Sequence, residues 1–165
     1  DDIILKRMKR RHNTKDAENL INTLKKVRPN ILFGADLIAG FPTETDKAHY
    51  NTLTAVKKLN LTFLHVFPYS PRPRTPASKM PQINSNVKKQ RAKELRDHGE
   101  HQLKQALDKS INSLHNVLVE TENGIGHSEN FLTTKVLGAN ERKIYKCKII
   151  GVENNMLVGK INGSI

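Results

Sequence analysis

Residues 31–38 read Ile31-Leu32-Phe33-Gly34-Ala35-Asp36-Leu37-Ile38, and Gly40-Phe41-Pro42 break the run. A short apolar run closed by breakers has the pattern of a buried strand. Upstream, Asn13 and Thr14 are cap-type residues, and Asp16 and Glu18 put acid where the helix dipole favours it. Ala17, Leu20, Ile21, Leu24 and Val27 then recur at helical spacing until Pro29 and Asn30 stop the helix. Downstream, Thr43 or Thr45 caps a second helix with Glu44 and Asp46 in its first turn and Ala48, Leu53, Val56 and Leu59 along one stripe. Residues 61–67 form a second strand. Helix, strand, helix, strand with short loops is α/β logic, and right-handed crossovers make such strands parallel.

Further along, residues 68–81 are too rich in proline for helix or central strand and read as an ordered loop. A long polar helix follows, capped near Asn84 or Ser85 and running to about Ser110, with a sparse apolar face of Val87, Leu95, Leu103 and Leu107. Beyond it the period changes. Residues 117–120, 131–137, 145–152 and 156–161 are strand-like, punctuated by Gly124, Gly126, Gly138, Gly151 and Asn154-Asn155. That spacing predicts a small all-β barrel or sandwich. The expected organisation is an α/β part over residues 1–109 and a β part over 110–165.

Composition narrows the function classes. The chain has 165 residues, 28 Lys plus Arg and 16 Asp plus Glu, a formal net charge of +12. Its length falls short of a whole (β/α)8 barrel, which needs roughly 250 residues. One cysteine, Cys147, excludes an internal disulfide and any multi-cysteine metal site built by this chain alone. Cys147 alternates with polar residues and reads as a small packed hydrophobe. No apolar run approaches the roughly 18 residues of a membrane span, so no membrane partner is expected and the location reads as cytoplasmic. Residues 1–107 hold 21 basic against 10 acidic residues, whereas residues 108–165 hold 7 against 6. The basic excess clusters at Lys6, Arg7, Lys9, Arg10 and Arg11, at Arg72, Arg74 and Lys79, and at Lys88, Lys89, Arg91 and Lys93. Such clusters attract polyanions, although a solvated lysine-rich surface gives the same composition.

In parallel α/β layers, ligands meet the carboxyl ends of the strands. Two loops occupy that position. In Gly40-Phe41-Pro42-Thr43-Glu44-Thr45 the glycine admits a ligand to the backbone, the next helix start can bind an anion, and Glu44 can accept from an amine or hydroxyl. In the proline-rich loop, Tyr69, Ser70, Arg72 and Arg74 stand on a stiffened backbone suited to phosphate. An ordinary capped loop is the other reading of each. The seven histidines show no metal spacing. His98 and His101 read as a solvated pair, and His65 as a core or pocket residue.

Three stretches carry a resemblance. They are Asp2-Ile3-Ile4-Leu5-Lys6-Arg7-Met8-Lys9-Arg10-Arg11-His12, then residues 34–45 (Gly34 to Thr45), then His65-Val66-Phe67-Pro68-Tyr69-Ser70-Pro71-Arg72 with Thr75-Pro76-Ala77. Together, in this order and spacing, they resemble the radical S-adenosylmethionine (SAM) tRNA methylthiotransferases. The Lys6–His12 stretch and Thr43, where most relatives have Gly, are most similar to the branch that acts on threonylcarbamoyladenosine in tRNA.

The resemblance implies an α/β fold made of a partial (β/α) radical-SAM barrel, its C-terminal half, followed by a small all-β TRAM domain, an OB-like barrel thought to bind RNA. It implies a tRNA-modifying transferase that uses SAM and [4Fe–4S] clusters, the clusters held by cysteine motifs that this chain lacks. No cluster is therefore expected on this chain alone. A missing N-terminal portion, or a separate chain, is the partner expected to carry those cysteines, and the chain by itself is expected to be inactive. By position in the matched motifs, Arg10, Asp36, Gly40, Phe41 and Pro42 would line SAM and Glu44 would support the loop. His65, Phe67 and Tyr69 would sit near the adenosyl group or the target base. Arg72, Arg74, Lys88, Lys89 and Arg91 would meet tRNA phosphates. The alternative is a non-enzymatic RNA-binding remnant using the basic clusters and the β part.

Overall fold

The computed structural model describes residues 1–164. They divide into two compact units, Asp1–Gln102 and Leu103–Ile165.

The first unit begins with α1 (Asp2–Arg7), whose first turn is held by the Asp1 carboxylate accepting from the amides of Ile3 and Ile4. The sequence pattern had not indicated this short helix, because six residues are too few to show an apolar period. α2 (Thr14–Val27) starts on a capping box in which the Asn13 side chain accepts from the Asp16 amide and the Asp16 carboxylate accepts from the Asn13 amide. β1 (Phe33–Ala39) leads through the Gly40 loop into α3 (Asp46–Leu59), capped by Thr45. Asn60 then takes the left-handed conformation that ends α3. β2 (Leu61–Pro68) follows. It pairs with β1 in parallel, as the crossover rule requires.

The strand over residues 31–38 was expected to be buried, and that expectation is corrected for one of its faces. Burial alternates along β1. Phe33, Ala35 and Leu37 pack with Leu64 and Val66 of β2 onto Ile21, Val56, Leu59, Ala92 and Leu95 of the helices. On the opposite face Gly34, Asp36 and Ile38 stand exposed, because nothing in this unit covers them. The two strands have no further neighbour in their sheet among the described residues. What is present of the expected half-barrel is therefore one parallel strand pair and its helices. The proline-rich stretch contains a single 3-10 turn, Pro76–Lys79, and α4 (Ser85–Ser110) begins after five intervening residues.

The second unit is a closed barrel of β3 (Leu114–Val119), β4 (Ile125–Ser128), β5 (Thr133–Leu137), β6 (Lys143–Glu153) and β7 (Met156–Ser164), in the order β3-β4-β5-β7-β6. Val117, Val119, Val136 and Cys147 fill its centre, so Cys147 is packed as its alternation implied. Asn154 and Asn155 both take positive φ (50° and 57°) and turn β6 into β7, the backbone a tight hairpin needs. β4 had been read only as punctuation. Its Gly126 is there because a Cβ would come within 1.8 Å of the Leu118 carbonyl oxygen on β3, so only glycine permits that pairing distance.

Candidate functional site

The exposed face of the β1–β2 pair is set by parity. Side chains alternate along each strand, and the parallel register places Gly34 beside Phe63, Asp36 beside His65, and Ile38 beside Phe67. Asp36, His65 and Phe67 are all exposed, Phe67 at 55%. Three expected site residues thus share one open surface on which a carboxylate and an imidazole are neighbours. His65 is not a core residue.

At the carboxyl ends of both strands the chain builds a rigid corner. The Tyr69 amide donates to the Ala39 carbonyl at 2.8 Å and extends the strand pairing by one step. The Phe41 and Tyr69 rings meet edge to face, with centroids 5.3 Å apart. Both belong to a small apolar cluster with Ile4, Ala48 and Met80. The Tyr69 hydroxyl is buried there without a hydrogen-bond partner. Gly40 has φ +73°, and Lys88 of α4 lies so close that a Cβ on Gly40 would stand 2.3 Å from the Lys88 Cγ and 3.1 Å from its Cα. Glycine is needed here for conformation and for clearance.

Glu44 organises this corner from beneath. Its Oε2 accepts from the Gly40 amide at 3.1 Å, and its Oε1 takes the Arg91 Nη1 donor at 3.0 Å. The same Nη1 donates to the Glu44 carbonyl, and Nη2 donates to Asp46 Oδ1 at 2.6 Å. His49 lies between two carboxylates. Its Nδ1 is 3.9 Å from Glu44 Oε1, and its Nε2 donates to Glu94 Oε2 at 2.7 Å. That hydrogen bond holds the Glu94 carboxyl below its usual range, against the opposing effect of partial burial. On the outer side, Arg7 Nη1 donates to the Thr43 hydroxyl at 2.6 Å and to its carbonyl at 3.2 Å. Thr43 sits at φ +69°, where a β-branched residue is strained, and the Arg7 clamp helps to hold it.

A cavity of about 400 Å³ lies between α1, α2, α3 and β1, and Arg10, Asp36 and Glu44 contribute to its walls. Arg10 joins the other expected residues only through this cavity. Gly40, Phe41, Pro42, His65, Phe67 and Tyr69 do not line it.

Of the residues expected to meet phosphate, Arg72, Arg74 and Lys89 are exposed. Lys88 is half-buried, its ammonium 5.9 Å from the centre of the Tyr69 ring. Arg91 is 6% exposed and committed to Glu44 and Asp46, so its guanidinium faces inward and is unavailable at the surface. Arg7 was read from sequence only as one of a basic cluster, and His49 and Glu94 were not singled out. The Arg7–Thr43 and His49–Glu94 contacts span 36 and 45 residues of chain, and no local spacing reports such pairs.

The donor set does not fit an iron–sulfur cluster. The sole thiol, Cys147, is fully buried in the barrel, and no group of three metal-ligating side chains occurs among the described residues. The open face exposes Asp36 and His65 side by side and the buried Tyr69 hydroxyl lacks a partner, whereas the Phe41 ring, 5% exposed, packs within the corner. No helix of the described residues is long and apolar enough to cross a membrane.

No family model matches the chain. Individual relatives do. The threonylcarbamoyladenosine tRNA methylthiotransferase of Rickettsia prowazekii is 43% identical over 162 residues, which are 95% of this chain and 37% of the relative. A probable enzyme of the same name from Methanocaldococcus jannaschii is 34% identical over 98% of the chain and 38% of its own length. A tRNA-2-methylthio-N(6)-dimethylallyladenosine synthase of Ehrlichia chaffeensis is 41% identical over 58% of the chain. The chain spans a little over a third of the length of the first two.

Proposed function

The chain is homologous over nearly its whole length to part of the threonylcarbamoyladenosine tRNA methylthiotransferases, and we propose that it is the portion of such an enzyme that forms one wall of the SAM site and grips tRNA. It works in this reading with polypeptide that supplies the cluster-binding cysteines and the remaining barrel strands. The observation that carries the proposal is the uncovered β1–β2 face. Two parallel strands with no third strand beside them among the described residues, a polar and aromatic exposed face, and a rigid glycine corner at their carboxyl ends have the form of a barrel segment whose lumen side lies open. Soluble domains seldom leave such edges and apolar side chains uncovered.

In the complete site, SAM and the clusters would supply radical chemistry that no side chain provides. The residues of this chain bind and orient. Gly40 packs against Lys88, and Glu44, Arg91 and His49 keep that corner fixed at the carboxyl ends of the strands. Asp36 and His65 offer an acceptor and a donor on the lumen side. Phe67 and Tyr69 present aromatic surface suited to an adenine ring. Arg72, Arg74 and Lys89 meet the phosphates of tRNA.

The proposal is tested by co-expressing this chain with the complementary portion of the Rickettsia prowazekii relative in cells lacking their own methylthiotransferase for this nucleoside, then analysing tRNA nucleosides by mass spectrometry. Methylthiolated threonylcarbamoyladenosine is expected only when both polypeptides are present. Stable co-purification without modification, or modification by the complement alone, would overturn it. Salt-dependent tRNA binding with no association between the polypeptides would favour the non-enzymatic RNA-binding alternative.

A further inference from the structure

The open face of β1 and β2 is a ladder of paired side chains. Toward the carboxyl ends, the register sets Gly34 beside Phe63, then Asp36 beside His65, then Ile38 beside Phe67. Parallel strands rise about 3.3 Å per residue, so neighbouring steps on one face lie roughly 7 Å apart. The first step carries a half-buried ring on one side and no side chain on the other, because a Cβ on Gly34 would stand 2.9 Å from the Phe63 carbonyl oxygen. The last step is aliphatic and aromatic, with Ile38 37% and Phe67 55% exposed. Only the middle step is polar.

Nothing in the fold occupies that middle step. Asp36 and His65 are register partners and both are exposed, yet neither side chain forms a hydrogen bond or ion pair with any described residue, the other included. The polar side chains of the nearby corner differ, since Glu44, His49 and Arg91 engage one another. Aspartate is also disfavoured in strands, so local structure gives no reason for Asp36. A carboxylate accepts hydrogen bonds and an imidazole N–H donates them. Side by side between apolar steps, Asp36 and His65 present an acceptor and a donor that await a partner from outside.

We infer that Asp36 and His65 determine substrate specificity by recognising the polar N6 substituent of the target adenosine, its threonylcarbamoyl group. The inference rests on the tRNA reading above and names the residues that tell this nucleoside from one with an apolar N6 group. With the adenine ring against Ile38 and Phe67, an N6 substituent extends one step deeper along the ladder. There His65 donates to the threonyl carboxylate, and Asp36 accepts from a urea N–H or from the threonyl hydroxyl. Phe63 closes the far end. A dimethylallyl group in the same place would leave both side chains desolvated and unpaired. A site built to hydrogen-bond its substrate rejects such an analogue more strongly than an apolar pocket rejects a polar one.

The test uses the full chain and three anticodon stem-loop RNAs that differ only at the target adenosine, which carries a threonylcarbamoyl group, a dimethylallyl group or hydrogen on N6. Affinity is read by fluorescence anisotropy and the His65 ring by NMR. The threonylcarbamoyl RNA is expected to bind about tenfold tighter than the other two and to shift the His65 ring signals. H65F and D36N are expected to bring that ratio near unity while melting with the native chain, because neither side chain supports the fold. H65Q keeps an N–H donor and is expected to recover part of the preference. Equal affinity of the native chain for all three RNAs would overturn the inference and leave the tRNA reading standing. Binding to none of them would remove the tRNA reading and the inference with it. His65 signals that move with SAM but not with the threonylcarbamoyl RNA would also overturn it, in favour of a contact to the SAM ribose.

Discussion

Replacing Arg91 with methionine isolates the device that fixes the Gly40 corner. The substitution keeps much of the buried aliphatic stem and removes the guanidinium. Glu44 is then left 7% exposed, having lost both the donor on its Oε1 and the donor on its carbonyl. Breaking a buried pair by removing one partner costs about 3–5 kcal/mol. The lower end applies here, because Asp46, the third partner, is fully solvated and its bond contributes little. A loss of about 3 kcal/mol lowers the Tm of a unit this size by about 14 °C. The assay is circular-dichroism melting, paired with hydrogen exchange at the Gly40 amide, which donates to Glu44. R91M is expected to speed that exchange, and adding E44Q is expected to restore part of the lost stability, since the stranded charge is gone. A fall in Tm below 2 °C with unchanged Gly40 protection would refute the clamp.

Other outcomes follow from the same geometry. G40A is expected to cost more than about 1 kcal/mol, read from urea unfolding, because its Cβ would meet Lys88 while the backbone stays at φ +73°. Glu94 has a folded pKa below its ordinary value of 4.5, so its contribution to stability is present above that value and is lost as pH falls through the folded pKa. E94Q is expected to flatten the acid limb of stability below about pH 4.5 in urea titrations, and an unchanged limb would count against the His49 contact. Burial pushes the Cys147 thiol up, so a disulfide reagent is expected to label it only after unfolding; rapid labelling of the native chain would contradict its place in the barrel core.

Much of the fold was legible because its signals are local. Asn13 and Asp16, three residues apart, specify a helix start, and Asn154-Asn155 specifies a tight turn. The short apolar run marked β1 correctly, but composition does not tell a strand covered on both faces from one covered on one. Gly34 and Asp36 were the clue to its open side. β4 escaped because Gly124 and Gly126 resemble loop residues, and their need arises only from pairing with β3 and β5. The candidate site was legible as loops and motifs, since Gly40-Phe41-Pro42 and Tyr69 are contiguous signals. Its support was not. Arg91 looked like one more surface cation in a basic helix, and only the fold turns it toward Glu44, 47 residues away. The pairing of Lys148 with Lys160 was hidden for a similar reason, since the register of β6 on β7 decides which side chains become neighbours.

The free edge of β1 bears most directly on whether this chain is a barrel segment. Hydrogen exchange of the Phe33–Ala39 amides is measured with the chain alone and after mixing with the complementary portion of the Rickettsia prowazekii relative. Amides of β1 that do not donate to β2 should become protected on mixing, together with a drop in solvent access at Phe67. Identical exchange in both samples would mean that these strands need no further neighbours, and the open face would have to be explained some other way.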